Sequence, residues 1–315
     1  MIMNNTCLSI VVPVYNEENN IAPFLQRVKE VIARLGVTYE IIFAMDPSRD
    51  ATEEVINDFS KIDENIKLIT FSRRFGQPAS TMAGIFNSSG EYCVVIDVDL
   101  QDPPEIIAEL YEKILEGYDV VYAKRRSRSG ETSLKKMISS VGYWLINKFS
   151  EINIPRDTGD FRIFNRKIIN YLSSLKESHG FLRGLIAFIG FRQSYVLYDR
   201  DPRFSGHGKY NRITGSLKIG LNGLISFSST PLQVMSIIGF ILAIFSFLFG
   251  LYVIFAKLVY GSFVEGFATL AILITFLSGI QMLFLGIMGE YISRIYDEVK
   301  ERPLYIIDKK INFKG

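Results

Sequence analysis

The sequence predicts an α/β fold in which a mainly parallel sheet is followed by two membrane-spanning helices. Three observations support this prediction. Short apolar runs alternate with helical segments in the first part of the chain, polar residues follow most of these runs, and two long uncharged stretches lie near the C-terminus. Strands, helices and membrane spans bury their side chains with different periods and lengths, so the three patterns are distinguishable.

The first part of the chain contains five short apolar runs that we interpret as buried strands, most of them rich in β-branched residues: Leu8–Val14, Tyr39–Met45, Ile66–Phe71, Tyr92–Ile96 and Asp119–Ala123. Segments with helical periodicity lie between them. The first extends from Asn19 to about Leu35, and the others follow Asp50, Gln77 and Pro104. Buried strands that alternate with helices indicate βαβ units and a mainly parallel sheet.

Polar segments follow four of these strands: Asn16–Glu17, Asp46–Asp50, Ser72–Gln77 and Asp97–Asp102. Ligands of open parallel sheets bind at the carboxyl ends of the strands. A purely structural sheet does not need carboxylates concentrated at these ends. The pattern therefore predicts a binding site along this edge.

Two stretches without charged residues, Ile219–Ala256 and Gly266–Gly289, lie near the C-terminus. A bilayer core of about 30 Å needs roughly 20 helical residues, so each stretch is long enough to span it. Lysine and arginine residues are more frequent outside the pair than in the loop between the spans. The positive-inside rule then predicts that both ends of the chain are cytoplasmic.

These patterns divide the chain into four parts: a cytoplasmic domain over 1–212, an amphipathic juxtamembrane segment over 213–230, two transmembrane helices within 231–292 (about 232–256 and 267–289), and a cytoplasmic tail over 293–315. A further apolar stripe over 134–149 has helical spacing. It fits either a helix packed on the sheet or a helix at the membrane surface.

Composition excludes several classes of function. The formal net charge is +2, which gives no reason to expect a nucleic-acid partner. The presence of only two cysteines, Cys7 and Cys93, argues against a disulfide framework and against a cysteine metal site. No signal peptide is evident at the N-terminus, in agreement with a domain that stays in the cytoplasm.

The densest group of carboxylates is in the segment Asp97–Pro104, which directly follows a predicted strand. Divalent cations such as Mg²⁺ bind through one or two carboxylates together with substrate phosphates, so Asp97 and Asp99 are candidates for a metal or diphosphate site. Taken alone, the same carboxylates fit the cap of the next helix equally well.

The motifs taken together resemble the family 2 glycosyltransferases with the GT-A fold, a Rossmann-like α/β fold. The polyprenyl-phosphate branch of that family, which includes the GtrB-type undecaprenyl-phosphate glucosyltransferases of bacteria, is the most similar. The motifs that carry the resemblance are Ile10–Glu17, Asp46–Asp50, Ser72–Gln77, Asp97–Asp99, Asp157–Arg162, Arg203–Tyr210, the paired spans and Gly289–Tyr296.

The resemblance implies a donor-binding site at the strand ends. It assigns nucleotide-sugar binding to Pro13, Tyr15, Glu17, Asp46, Asp97 and Asp99. It also implies that Asp99 and Gln101 bind Mg²⁺ or Mn²⁺. One departure concerns the turn at Asp46, where Pro47 replaces the usual glycine and restricts the backbone.

The acceptor would be a lipid phosphate, for which arginine and lysine are the suitable donors. The candidates are Arg126, Arg128, Arg203 and Lys209, although a basic loop attracted to anionic lipids explains the same residues. The resemblance assigns Asp97 and Asp157 to the catalytic centre. Asp157 acts there either as a base or as a group that orients a cation.

The implied reaction is transfer of a hexose, glucose first, from UDP-glucose onto undecaprenyl or another polyprenyl phosphate, with inversion. The alternatives are the same reaction with GDP-mannose or a UDP-aminoarabinose derivative, and a membrane scaffold that binds nucleotide sugars without catalysis. The resemblance also implies a multi-pass protein of the bacterial inner membrane and a homo-oligomer, a tetramer. The Gln-x-x-Arg-Trp element of processive synthases is absent.

Overall fold

A computed structural model describes residues 7–126, 158–175, 177, 182–202, 204, 228–260 and 266–313. The described strands are β1 (Leu8–Val14), β2 (Tyr39–Met45), β3 (Ile66–Phe71), β4 (Tyr92–Val95), β5 (Val120–Arg125), β6 (Thr158–Asn165), β7 (Gln193–Tyr198) and β8 (Ile307–Ile311). The described helices are α1 (Glu18–Leu35), α2 (Thr52–Ile62), α3 (Gln77–Phe86), α4 (Ile106–Leu115), α5 (Arg166–Ser174), α6 (Leu182–Ile189), α7 (Thr230–Tyr260) and α8 (Phe267–Val299).

The eight strands form one sheet in the order β7-β5-β6-β4-β1-β2-β3-β8. The central strands β4, β1, β2 and β3 are parallel, as the sequence predicts. Strand β6 lies antiparallel between β4 and β5, β7 is parallel to β5, and β8 is antiparallel to β3 at the far edge. All five predicted strands and the four helices between them are confirmed. The sequence did not reveal β6, β7 and β8.

Helices cover both faces of the sheet because the side chains of each buried strand alternate between two cores. On β1, Ile10 and Val12 join the core beneath α1 and α4, whereas Val11 joins the core beneath α3, α5 and α6. Helix α3 comes so close to β1 that a Cβ atom on Gly84 would lie 2.3 Å from Cγ1 of Val11. Burial on both faces explains why these strands are nearly continuous apolar runs.

Helices α7 and α8 are both long and apolar enough to cross a membrane, over Thr230–Tyr252 and Ile272–Val299. Most of their large apolar side chains that the structure describes are exposed. The Tyr291 hydroxyl on α8 donates a hydrogen bond to the Ser228 carbonyl at 2.7 Å, next to the start of α7. Helix α8 continues past the predicted apolar stretch to Val299.

After α8 the chain returns to the sheet of the N-terminal part as β8, where Lys310 lies opposite Ile69. The segment 134–149 and most of 213–228 lie outside the described residues. The four-part division of the chain stays a prediction. Cys7 and Cys93 are both free, in agreement with the expected absence of a disulfide framework.

Candidate active site

The loops after β1 and β2 are joined by hydrogen bonds. The backbone N–H of Asn16 donates to the Ser48 hydroxyl at 3.0 Å, and the N–H of Arg49 donates to Asn16 Oδ1 at 2.8 Å. Asn16 has a φ of 52°, a left-handed conformation that asparagine tolerates better than most residues. These contacts fix the two loops against each other at the carboxyl end of the sheet.

Asp46 ends β2 and organises the β3–α3 loop, residues 72–76. Its side chain is only 2% exposed, and its two oxygens accept the N–H groups of Phe75 and Gly76, each at 2.9 Å. The exposed Pro47 does not disturb this arrangement, since the Asp46 N–H still donates to the Val14 carbonyl at 3.1 Å. Asp46, the carboxylate that the sequence predicts to bind the nucleotide, therefore holds the β3–α3 loop against the end of β2.

The β3–α3 loop presents two guanidinium groups beside aromatic rings. Arg74 lies over the Tyr15 ring, 4.1 Å from its centroid, and Arg73 lies over the Phe75 ring at 4.0 Å. Such contacts hold the cationic groups in place at the surface. Of the other predicted donor residues, Pro13 is buried in β1, and the Glu17 carboxylate accepts a hydrogen bond from Asn20 Nδ2 at 2.5 Å.

The turn after β4 holds the predicted Asp-x-Asp pair. Gln77 Nε2, at the start of α3, donates to Asp97 Oδ1 at 2.9 Å. Asp99 is buried, and its Oδ1 accepts the N–H of Gln101 at 3.1 Å. Leu100 between them has a φ of 59°, a costly conformation for leucine. The turn therefore has a bent backbone that brings carboxylates to the end of the sheet.

Asp97 lies in a strongly acidic environment. Burial, followed by the charges of Asp102, Asp99 and Asp160, raises the pKa of Asp97 to about 8, and Arg200 opposes this rise. Crowded carboxylates favour protonation of one of their number or binding of a cation. The excess of negative charge marks this position as suitable for a positively charged ligand.

Asp102, which belongs to the predicted polar segment Asp97–Asp102 but received no role of its own, contacts β7 and residues that follow it. The Tyr198 hydroxyl donates to Asp102 Oδ1 at 2.5 Å, and Arg200 Nε lies 3.3 Å from the same oxygen. An Arg125 guanidinium nitrogen lies 3.8 Å away. Because Asp102 is only 3% exposed, it fixes two arginines near the acidic turn.

A second acid–arginine pair lies at the start of β6. Arg183 Nε on α6 donates to Asp160 Oδ1 at 2.8 Å. Burial acts to raise the pKa of Asp160, but Arg183, Arg162 and Arg125 together outweigh it and hold that pKa below its ordinary value. Asp160 is therefore ionised near neutral pH, whereas the pKa of Asp97 is raised. The site thus combines carboxylates whose pKa values are shifted in opposite directions with fixed guanidinium groups.

Four predicted site residues, Asp157, Arg128, Arg203 and Lys209, lie outside the described residues. Arg126 is described and exposed. Its guanidinium is 3.3 Å from Asp199 Oδ2. The structure therefore places the donor-side candidates Tyr15, Asp46 and Asp97 after the neighbouring strands β1, β2 and β4.

No individual role was assigned from the sequence to five further residues at this edge: Arg73, Arg74, Asp102, Arg125 and Arg200. Arg73 and Arg74 belong to a polar segment that follows a predicted strand, so the strand-end rule was sufficient to select them. Arg200 follows β7, which was not predicted. Arg125 ends β5, which extends two residues beyond the predicted run.

Among the described residues, no group of three or more histidine, cysteine or carboxylate side chains surrounds a common point suited to a metal ion. Asp97 and Asp99 together offer carboxylate oxygens at one turn. Mg²⁺ sites commonly use one or two carboxylates and complete their coordination with water and substrate phosphates. The residues present therefore fit a divalent cation that binds together with a phosphate-bearing ligand.

The family model for glycosyl transferase family 2 matches residues 9–172. The chain belongs to this family, and it is a glycosyltransferase with the GT-A fold. The match includes the β1, β2 and β4 strand ends that build the site described above. It ends before α7 and α8.

Several relatives match almost the whole chain, including the two apolar helices. A glycosyltransferase of Synechocystis is 44% identical over 95% of this chain and 94% of its own length. The YkcC glycosyltransferase of Bacillus subtilis is 45% identical, over 98% and 95%. The SfII prophage-derived bactoprenol glucosyl transferase of Shigella flexneri is 40% identical, over 96% and 97%.

Proposed function

We propose that the chain transfers glucose from UDP-glucose onto a polyprenyl phosphate, giving polyprenyl-phosphoryl-glucose and UDP. The observation that supports this proposal most directly is that a charged site at the strand ends and two apolar helices occur together in one chain. Its Shigella relative, 40% identical over 302 residues, is named a bactoprenol glucosyl transferase. A lipid acceptor would explain why the chain has two helices suited to a membrane, because the acceptor phosphate lies at the membrane surface.

The donor nucleotide would bind at the β1, β2 and β3 ends. Tyr15 and Arg74 offer an aromatic face covered by a cation, and Asp46 holds the loop that carries Arg74. Asp97, Asp99 and Gln101, on the neighbouring turn, would hold Mg²⁺ or Mn²⁺ next to the diphosphate. A bound cation there would offset the charge that develops on the departing UDP.

The reaction is a displacement at the anomeric carbon of the sugar. An oxygen of the lipid phosphate forms a bond to this carbon as the bond from the carbon to the UDP oxygen breaks, and the configuration inverts. The acceptor phosphate is largely anionic near neutral pH, so a strong base is not required. Positioning of the two substrates then supplies most of the rate acceleration. Asp157 would orient the acceptor or serve as a base.

Cationic groups would bind the lipid phosphate. Arg126, Arg128, Arg203 and Lys209 are the candidates from the sequence, and we add Arg125 and Arg200, which lie 3.8 and 3.3 Å from Asp102 Oδ1 beside the acidic turn. Arginine suits this task because its forked donors match phosphate oxygens. The guanidinium groups would hold the acceptor close to the sugar without taking part in bond formation.

We further propose that the chain is a multi-pass protein of the bacterial inner membrane, with the site and both chain ends in the cytoplasm. The pairing of β8 with β3 supports this topology, since two spans between the strands return the chain to the side on which it started. The flanking basic residues favour the cytoplasmic side. Assembly into a tetramer belongs to the same proposal.

The test is sugar transfer by the purified full-length protein. Labelled UDP-glucose and undecaprenyl phosphate are supplied with Mg²⁺ or Mn²⁺, and the lipid extract is counted. We expect metal-dependent product that EDTA abolishes, and a loss of about a hundredfold or more in Asp99→Ala, in line with removal of a charge-stabilising group. Asp58→Ala, at an exposed position on α2, is the matched control.

The same assay with other sugar donors distinguishes the remaining alternatives for the donor and the scaffold alternative. Product only from GDP-mannose or a UDP-aminoarabinose derivative would replace glucose as the sugar and leave the reaction class intact. A protein that binds UDP but transfers no sugar from any donor would contradict the proposal and favour a scaffold.

A further inference from the structure

The segment that follows the second apolar helix is joined to the edge of the sheet next to the β3–α3 loop. Strand β8 pairs antiparallel with β3, with Ile307 opposite Phe71. One residue further, the N–H of Ser72 donates to the Ile306 carbonyl at 3.1 Å. This bond lies at the point where β3 ends and the loop that carries Arg73 and Arg74 begins.

An aromatic cluster continues this contact into the loop. The Phe71 ring lies 5.8 Å from the Tyr305 ring and 6.1 Å from the Phe75 ring, measured between centroids. Phe75 carries Arg73 over its face and donates its N–H to Asp46. The Phe71 ring therefore contacts both Tyr305 and Phe75, and Phe75 is a residue whose N–H joins the loop to Asp46 at the end of β2.

The Tyr305 ring is held by packing within an apolar cluster. It packs into the cluster of Ile42, Ala44, Ile69, Phe71 and Ala83 together with Phe75 and Ile307. Burial raises the pKa of the Tyr305 hydroxyl, and a hydrogen bond with Asn87 at the end of α3 opposes the rise. A side chain fixed in this way gives the loop a rigid support.

The docking of β8 also depends on contacts far from the loop. Asn312 Nδ2 donates to the carbonyls of Ser60 and Ile66, at 2.7 and 2.9 Å. Lys67 lies over the Phe313 ring, 5.1 Å from its centroid, and Lys309 lies 3.9 Å from Glu53. Removal of the Tyr305 ring should therefore leave β8 in place and affect the loop selectively.

We propose that Tyr305 positions the β3–α3 loop for binding of the donor nucleotide. The segment that leaves the second membrane helix then completes the donor site. Tyr305 does not contact a reacting group in this proposal and acts through Phe71 and Phe75. The inference rests on the proposed function, in which this loop binds the nucleotide part of the donor.

The test compares Tyr305→Ala, Tyr305→Phe and Lys309→Ala in the purified full-length protein. The KM for UDP-glucose, the KM for undecaprenyl phosphate and kcat are measured, together with the Kd for UDP by calorimetry. Tyr305→Ala should raise the donor KM and the UDP Kd about three- to tenfold, the range expected for lost aromatic contacts. The acceptor KM and kcat should stay within about twofold of wild type.

Tyr305→Phe keeps the ring, and Lys309→Ala changes β8 away from the loop, so both should bind UDP like wild type. If Tyr305→Ala does not fold, Tyr305→Leu retains apolar volume and replaces it in the comparison. An unchanged UDP Kd, or equal rises in donor and acceptor KM, would overturn the inference. Because the UDP Kd is measured without transfer, a failure of the proposed reaction is recognised separately.

Discussion

At the scale of single residues, Asp46 shows how a carboxylate can shape a ligand site through the backbone. Both of its oxygens accept loop N–H groups, and the side chain is buried. A carboxylate has further lone pairs, so a direct contact with the nucleotide base remains compatible with these bonds. The contact that the structure establishes is the one with the loop.

This arrangement predicts the effect of Asp46→Asn. Asparagine retains one acceptor and turns an NH₂ group toward a backbone N–H, which leaves a buried donor without a partner. We expect the KM for the donor to rise by about tenfold, with a smaller effect on the KM for the lipid. The measurement is steady-state transfer with each substrate varied in turn.

Asp58→Asn, on the exposed surface of α2, is the control for loss of one charge and should behave like wild type. A donor KM unchanged in Asp46→Asn would show that the loop does not depend on this carboxylate.

The sequence predicted individual site residues where local pattern decides their place. Asp97 and Asp99 were selected as candidates because they follow an apolar run, and that run is a buried strand. The pairing of Asp102 with Tyr198 and Arg200 was not predictable in this way, because the partners are about a hundred residues apart in the chain. Only the assembled sheet brings them together.

At the scale of elements, strands with a clear local pattern were predicted from the sequence, and strands without such a pattern were not. Strands β1, β2 and β3 begin and end at the predicted residues because burial on both faces makes them continuous apolar runs. Strand β8 contains an aspartate and two lysines, a composition suited to an exposed edge. Strand β6 contains Asp160 and Arg162, and these charged residues interrupt the apolar run by which a buried strand is recognised in a sequence.

Among the described glycines, Gly84 marks the closest approach of a helix to the sheet, where α3 packs on β1. A Cβ atom on Gly84 would lie 2.3 Å from Cγ1 of the fully buried Val11, a distance that requires movement of the helix or the strand. Helix α3 begins with Gln77, which contacts Asp97. The packing therefore also positions one side of the site.

This contact predicts that Gly84→Ala lowers the midpoint of thermal unfolding, since overpacking a core typically costs about 1–3 kcal/mol. Val11→Ala alone should also destabilise by creating a small cavity. The double variant should lose clearly less stability than the sum of the two losses, because each change relieves the other. Strictly additive losses would contradict the close contact.

At the scale of the whole molecule, the two long apolar helices lie between strands of one sheet in the order of the chain. The chain leaves the N-terminal part, passes through α7 and α8, and returns to the sheet edge as β8. Length and apolar composition made the two helices predictable. The return strand β8 was not predictable, and it connects the second apolar helix to the sheet edge beside the loop that we assign to the donor.

Transfer of a sugar alone, without a phosphate from the donor, is the central claim about the chemistry. The most direct test uses UDP-glucose with one radiolabel in the glucose carbons and a second in the β-phosphate, supplied with undecaprenyl phosphate and Mg²⁺ or Mn²⁺. We expect the carbon label in the lipid extract and the phosphorus label in the water phase as UDP. Both labels in the lipid extract would mean transfer of a sugar phosphate and would contradict the proposed glycosyl transfer.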